Sequence, residues 1–160
     1  MSFWLIKSRP SAFSWADLEA APDRTTAWAG VRNYQARNFM RDRMKPGDPV
    51  LFYHSQIPKP AVIGLAEVAS ESYPDPTQFD PGHRRYDPTA AVAEPRWYLV
   101  EIRAVRQLER PVLLRELREQ PELEGMDLLR QRSRLSVQPV PPAAFLRVLQ
   151  LAGSDAGGVS

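Results

Sequence analysis

Sixteen prolines are spread along 160 residues, about twice the usual share, and they restrict this chain more than any other feature. Proline lacks the backbone N–H and fixes φ at about −65°, so it ends helices and is kept out of the middle of sheets. Many connections must therefore be stiff and non-helical. The apolar content of 43% and charged content of 25% are ordinary for a globular protein, and the length suits one domain with a single sizeable core. There is no cysteine, hence no disulfide frame, no thiolate metal site and no cysteine nucleophile. Residues 1–7 are too short in apolar residues for a signal peptide, and no run approaches a membrane span. These features predict a soluble, intracellular, cytoplasmic protein.

Residues 3–7, rich in aromatic and branched side chains, read as a short strand. Ser14 and Asp17 form a capping box with Asp in place of the usual Glu or Gln, and Phe13 and Leu18 sit at the two staple positions. Ala36, Met40 and Met44 recur at four-residue spacing, which predicts a helix over 35–44 with Arg37, Arg41 and Arg43 off its apolar face. Strands are expected at 49–55 and 61–68. Gly64 in the second marks a bulge or a close backbone approach. The proline-rich stretch 72–95 reads as a loop, and 97–105 is the clearest strand, with Tyr98, Val100, Ile102 and Ala104 on one face. Helices are expected over 111–119 and 126–131, and an extended segment over 135–140. A last amphipathic helix runs through Phe145, Leu149 and Ala152 and is stopped by Gly153. The domain is expected to span 1–153, with a disordered tail at 154–160. The strands do not alternate regularly with helices, which predicts an α+β fold with a mixed or antiparallel sheet.

Residues 25–38 gather the parts that a planar polar ligand needs. Trp28 and Tyr34 offer rings to stack on. Asn33, Gln35 and Asn38 offer amide edges, and Arg32 and Arg37 offer cations for nearby phosphate. On this stretch alone the opposite reading stands equally: Trp28 in the core and the polar residues solvating a helix. The net charge of +2 hides a segregation. Arg32, Arg37, Arg41, Arg43 and Lys45 form one basic group and Arg130, Arg132 and Arg134 a second, while residues 67–80 hold acids and no Lys or Arg. Two basic groups that met in space would attract phosphate. His54 and His83 lack metal-ligand spacing, and no phosphate-cradling glycine loop or nucleophile elbow occurs, so no metal or cofactor is expected. Lys7, Tyr53 and Glu67 would make a hydrolytic set if their strands adjoined, with His54 as an acid–base group. The competing reading is a buried ion pair near the sheet.

Several blocks resemble the EVE domain family. They include Trp4-Leu5-Ile6-Lys7-Ser8-Arg9-Pro10, the run from Trp28 to Asn38, Gly47-Asp48-Pro49-Val50-Leu51-Phe52-Tyr53-His54-Ser55, and Gly64-Leu65-Ala66-Glu67-Val68. Tyr73-Pro74-Asp75-Pro76, Pro95-Arg96-Trp97-Tyr98-Leu99-Val100 and Arg134-Leu135-Ser136-Val137-Gln138-Pro139-Val140 follow in the family's order. The resemblance implies a PUA-like fold, a small, strongly bent mixed sheet or barrel flanked by short helices. It also implies kinship with YTH domains, which hold a methylated adenine in an aromatic cage. Trp28 then stands where a cage tryptophan stands. Arg9 replaces the glutamate that typical members carry, exchanging an acceptor-only group for a donor-only one.

The resemblance and the residues together predict a non-catalytic module that reads a modified base in DNA or RNA. Trp28, Tyr34 and Phe52 or Tyr53 are expected to line the pocket, with Lys7 at the end of its strand. Ser8, Asn33, Gln35 and Gln138 would read the base edge, and Arg32, Arg37 and Arg134 would hold phosphates. The alternatives are a PUA-like hydrolase or nuclease, as in ASCH domains, using Lys7, Tyr53, His54 and Glu67, and an interaction module whose arginines bind an acidic partner.

Overall fold

A computed structural model describes residues 1–130 and 133–153. The expected tail at 154–160, Arg132 of the second basic group and the end of the helix expected over 126–131 lie outside the described residues.

Six strands form the main sheet: β1 (Trp4–Ser8), β2 (Thr25–Ala27), β3 (Pro49–His54), β4 (Ala61–Val68), β7 (Glu101–Leu113) and β8 (Val137–Pro139). Their order is β2-β7-β4-β3-β1-β8. β1 and β3 are parallel and the other neighbours antiparallel, so the sheet is mixed, as expected. Two short strands, β5 (Tyr73–Pro74) and β6 (Tyr98–Leu99), pair separately. The helices are α1 (Trp15–Ala20), α2 (Tyr34–Asp42), α3 (Leu114–Arg118) and α4 (Pro142–Leu151), all short.

The sheet is buried on both faces, and the expected single core is two. Trp4 and Ile6 of β1 point to one cluster, with Trp15, Leu18, Met40 and Phe52. Leu5, between them, points to the other, with Leu51, Tyr53, Leu108, Phe145 and Leu149. This is the period-2 alternation of a strand applied to a sheet covered on each side. Register shifts at Phe52/Tyr53, Val62/Gly64 and Leu65/Ala66 bend β3, β4 and β7 and curl the sheet into a half-barrel. Gly64 serves both purposes expected of it. It lies at one shift, and a Cβ there would sit 2.6 Å from ring atoms of Trp15, so α1 rests directly on the strand backbone.

The capping box forms: Ser14 Oγ accepts from Asp17 N–H at 3.0 Å, and Asp17 Oδ2 accepts from Ser14 N–H at 2.9 Å. Asn33 caps α2 by accepting from Ala36 N–H at 2.9 Å. Two expectations fail at β7. The strand expected over 97–105 breaks at Val100, and β7 then continues through Pro111 to Leu113, where a helix was expected to have begun. Val112 and Leu113 pair with Val62 and Ala61, and these cross-strand contacts override a pattern that also suits a helix. The helix expected over 126–131 is a single tight turn, Asp127–Leu129.

Candidate nucleic-acid interface

Trp28 follows β2 and is fixed by its backbone. Its N–H donates to Val100 O at 3.0 Å, and Ala29 N–H donates to Ala27 O at 2.9 Å. Gly30, at φ +84°, then turns the chain, and its N–H donates to Asp75 Oδ2 at 2.7 Å. The indole is half-buried and meets two rings edge-on, Phe13 at 6.0 Å and 83° and Phe52 at 5.7 Å and 81°. In such T-shaped contacts the edge of one ring meets the face of the other, and neither pair is a parallel stack. Trp28 lines a cavity of about 760 Å³.

Several distant segments complete the cavity. The end of β1 brings Lys7 and Ser8, followed by Arg9. Ser55 and Gln56 follow β3, Arg84 and Arg85 come from the proline-rich loop, and Ser133, Arg134 and Ser136 precede β8. With Arg32, the charged residues on its wall are Lys7, Arg9, Arg32, Arg84, Arg85 and Arg134, and no Asp or Glu lines it among the described residues. A cleft lined by one sign of charge focuses potential and draws counter-charge.

These cations are not equivalent. Arg32 is structural: it donates to Asp75 Oδ2 at 3.2 Å, Thr77 Oγ1 at 3.0 Å and Arg85 O at 2.6 Å. Burial pushes the Asp75 carboxyl up, but hydrogen bonds from Gly30, Thr77 and Arg32 outweigh it and hold the group below its ordinary value. Lys7 donates to Ser133 O at 3.1 Å; burial lowers its pKa and Asp127 opposes that. The guanidinium groups of Arg9, Arg84, Arg85 and Arg134 have no ion-pair or hydrogen-bond partner among the described residues, and all four residues are exposed.

Of the residues predicted for the site, Trp28, Lys7, Ser8, Asn33, Arg32 and Arg134 line this cavity. The others do not. Phe52 is fully buried behind Trp28. Tyr53 is on the opposite face of β3, in the second core, where burial pushes its phenol up to about 12. Tyr34 stacks on Trp97 at 4.8 Å and 25°, outside the cavity. Gln35 is exposed beside a smaller hollow of about 260 Å³, which shares Asn33, Ser133 and Arg134 with the cavity. Gln138 is buried and donates to Leu135 O at 2.9 Å. Arg37 is held by Asn38 and by Arg96 O at 2.8 Å. Arg41 pairs with Asp42, and Arg43 lies over Trp4 and Phe39, so most of the first basic group never reaches the cavity.

The hydrolytic set does not assemble. Glu67 pairs with Arg103 at 2.8 Å and lies opposite Pro49, four residues along β3 from Tyr53 and so roughly 13 Å away at strand rise. His54 Nε2 accepts from Trp15 N–H at 3.0 Å, and burial keeps the ring's pKa below its ordinary value. It is a neutral cap for α1. Arg84 and Arg85 also line the cavity and belong to neither basic group read from the sequence. An adjacent pair of arginines in a loop was the available signal, lost beside the prolines around it.

A curled mixed half-barrel with short helices, opening at one end into an indole-walled cationic cavity, defines a PUA-like α+β domain. The chain belongs to the EVE domain family, whose model matches residues 2–151. Thymocyte nuclear protein 1 of Homo sapiens is 41% identical over 167 residues, covering 94% of this chain and 73% of that protein. Among solved structures, human THYN1 protein in complex with 5-methylcytosine-containing DNA superposes with a TM-score of 0.90 at 40% identity, covering 97% of this chain and 99% of that one. A protein from Leishmania major gives 0.88 at 42% identity, covering 96% and 95%. The YTH domain of Zygosaccharomyces rouxii MRB1, in complex with N6-methyladenosine RNA, shares the fold at 16% identity and a TM-score of 0.53, covering 96% and 85%. No helix among the described residues is long and apolar enough to cross a membrane, and no group of three or more potential ligands there could hold a metal.

Proposed function

We propose that this protein binds nucleic acid and reads a modified base in the cavity walled by Trp28, acting by recognition and not by turnover. One observation carries the reading: a half-buried indole with no parallel-stacked ring among the described residues lines a cavity whose charged residues there are all cations. The human relative crystallised with 5-methylcytosine-containing DNA supports it. Stacking on Trp28 contributes roughly 1–3 kcal/mol per base. Ser8, Asn33 and Lys7 meet the base edge. Arg134, joined by Arg84 and Arg85, takes the flanking phosphates, while Arg32 positions the loop that carries Arg85. Extruding a base from a duplex costs a few kcal/mol, which the phosphate contacts help offset. The partner is DNA or RNA, and we place the encounter inside the cell, in keeping with a chain free of cysteine.

Oligonucleotides matched in sequence and differing at one base, in DNA and RNA series, test this reading by fluorescence anisotropy. Affinity is expected to depend on the modification, and Trp28→Ala is expected to weaken binding roughly 5- to 150-fold. Trp28→Ala binding modified and plain strands as the wild type does would refute it.

A further inference from the structure

Lys7 differs from the exposed arginines that line the cavity. It is half-buried at the end of β1, and among the described residues its ammonium makes one hydrogen bond, to the Ser133 carbonyl at 3.1 Å. An ammonium has three donors, so two remain. The nearby Asp127 carboxylate is already engaged by Arg130 and Ser133 and, at 3.4 Å, by Gln138. No carboxylate lines the cavity among the described residues to take the remaining donors. Burial disfavours the charged form of this lysine, with Asp127 opposing, so an anion entering the cavity would relieve it. A methyl group brings no such relief. Its burial is worth about 0.8 kcal/mol, a roughly fourfold preference. A carboxylate offers two acceptor oxygens and no donor, which complements an ammonium and a guanidinium.

We propose, resting on the base-reading function above, that the cavity favours a base whose modification carries negative charge, a carboxylated pyrimidine, with Lys7 pairing the carboxylate and Arg9 as the second cation beside it. Cations that served only the backbone would be indifferent to the charge on the base, because every strand of equal length carries the same phosphates.

The test uses three single-stranded DNA oligonucleotides, identical except for one central cytosine that is plain, 5-methylated or 5-carboxylated. Dissociation constants are measured at one salt concentration for wild type, Lys7→Arg, Lys7→Met and Arg9→Gln. The carboxylated strand is expected to bind the wild type at least roughly tenfold tighter than the methylated one, as a charge-assisted hydrogen bond allows. Lys7→Met should reduce that ratio to about twofold, while Lys7→Arg keeps most of it. Should Lys7→Met melt early, Arg9→Gln at an exposed position carries the test, with an expected drop of about threefold in the ratio. If the carboxylated strand binds no tighter than the methylated one while both differ from plain cytosine, the charge assignment is overturned and base reading stands. If all three bind alike, base reading itself falls. A tenfold ratio unchanged in every folded variant overturns the roles given to Lys7 and Arg9.

Discussion

Trp28 and Tyr34 stand six residues apart, each among arginines, and their rings end in opposite situations. Tyr34 stacks on Trp97, Arg37 lies over Tyr34 at 4.8 Å, and Arg32 lies over Trp97 at 5.3 Å. The cations of that stack have acceptors: Arg37 reaches Arg96 O and Asn38, Arg32 reaches Asp75, Thr77 and Arg85 O, and Arg96 donates to the Tyr34 hydroxyl at 3.0 Å. Trp97 Nε1 donates to Asp87 at 2.8 Å. The stack is closed, and it pins the loop carrying Arg84 and Arg85 against α2. Around Trp28 the neighbouring rings touch edge-on, and four guanidinium groups lack partners among the described residues. The same residue types thus build a strut in one place and an open site in another. What separates them is whether faces and donors are already satisfied within the chain.

The sharpest way to break this comparison is at the strut. Trp97→Ala removes a buried ring and its Nε1–H hydrogen bond to Asp87 and should cost about 3–5 kcal/mol of stability, read by denaturant melts. A loss below about 1 kcal/mol would mean the stack is not structural. Arg32→Ala removes the cation paired with the buried Asp75 carboxylate and leaves it only the Gly30 and Thr77 donors, which should cost about 3 kcal/mol by the same measurement. Trp28→Ala should behave oppositely, with a modest change in melting and a loss of roughly 1–3 kcal/mol in oligonucleotide affinity. Arg134→Ala should leave melting unchanged and lessen the slope of log affinity against log salt by about 0.7 on single strands. If it destabilises the fold instead, Arg134 belongs with the strut.

The smallest expected effect lies beneath Trp28. His54 braces Phe52 edge-on at 5.8 Å and, as the neutral ring, accepts from Trp15 N–H. Its folded pKa is depressed by burial, so the unfolded chain binds more protons than the folded one as acidity rises. Its contribution is therefore complete above about pH 6.5 and is lost as pH falls through the lowered folded value. His54→Gln, which can still accept from Trp15 N–H, should flatten that part of the acid limb in melts compared across pH.

Much of the fold was legible. Ser14 with Asp17, the spacing of Ala36 and Met40, and Gly64 each acted as expected, while α2 ends at Asp42 and Met44 joins the same core from just beyond it. Strand register was not legible. Tyr53 pairs with Lys7 as Leu51 pairs with Leu5, so its ring packs into the second core away from Trp28, whereas the longer Lys7 side chain on that same face reaches Ser133 beside the cavity. No local feature of Phe52-Tyr53 says which of the two rings faces which core. Pro111 misled for a related reason: its partner strand is some fifty residues earlier, and a helix start is the commoner local meaning of such a proline.

Caps, glycine turns and apolar periods depend on groups within about four residues, and the sequence alone therefore settled them. The resemblance of the family blocks likewise implied a bent mixed sheet and drew attention to Trp28, which lines the cavity. The state of each arginine belongs to tertiary structure. Arg32 is neutralised by Asp75 from 43 residues away, and Gly30 is held to the same carboxylate across 45. Arg9, Arg84 and Arg134 come from three separate segments and meet only at the cavity. Charge acts through space, so whether a guanidinium is spent on the fold or left for a ligand is decided only when distant segments meet.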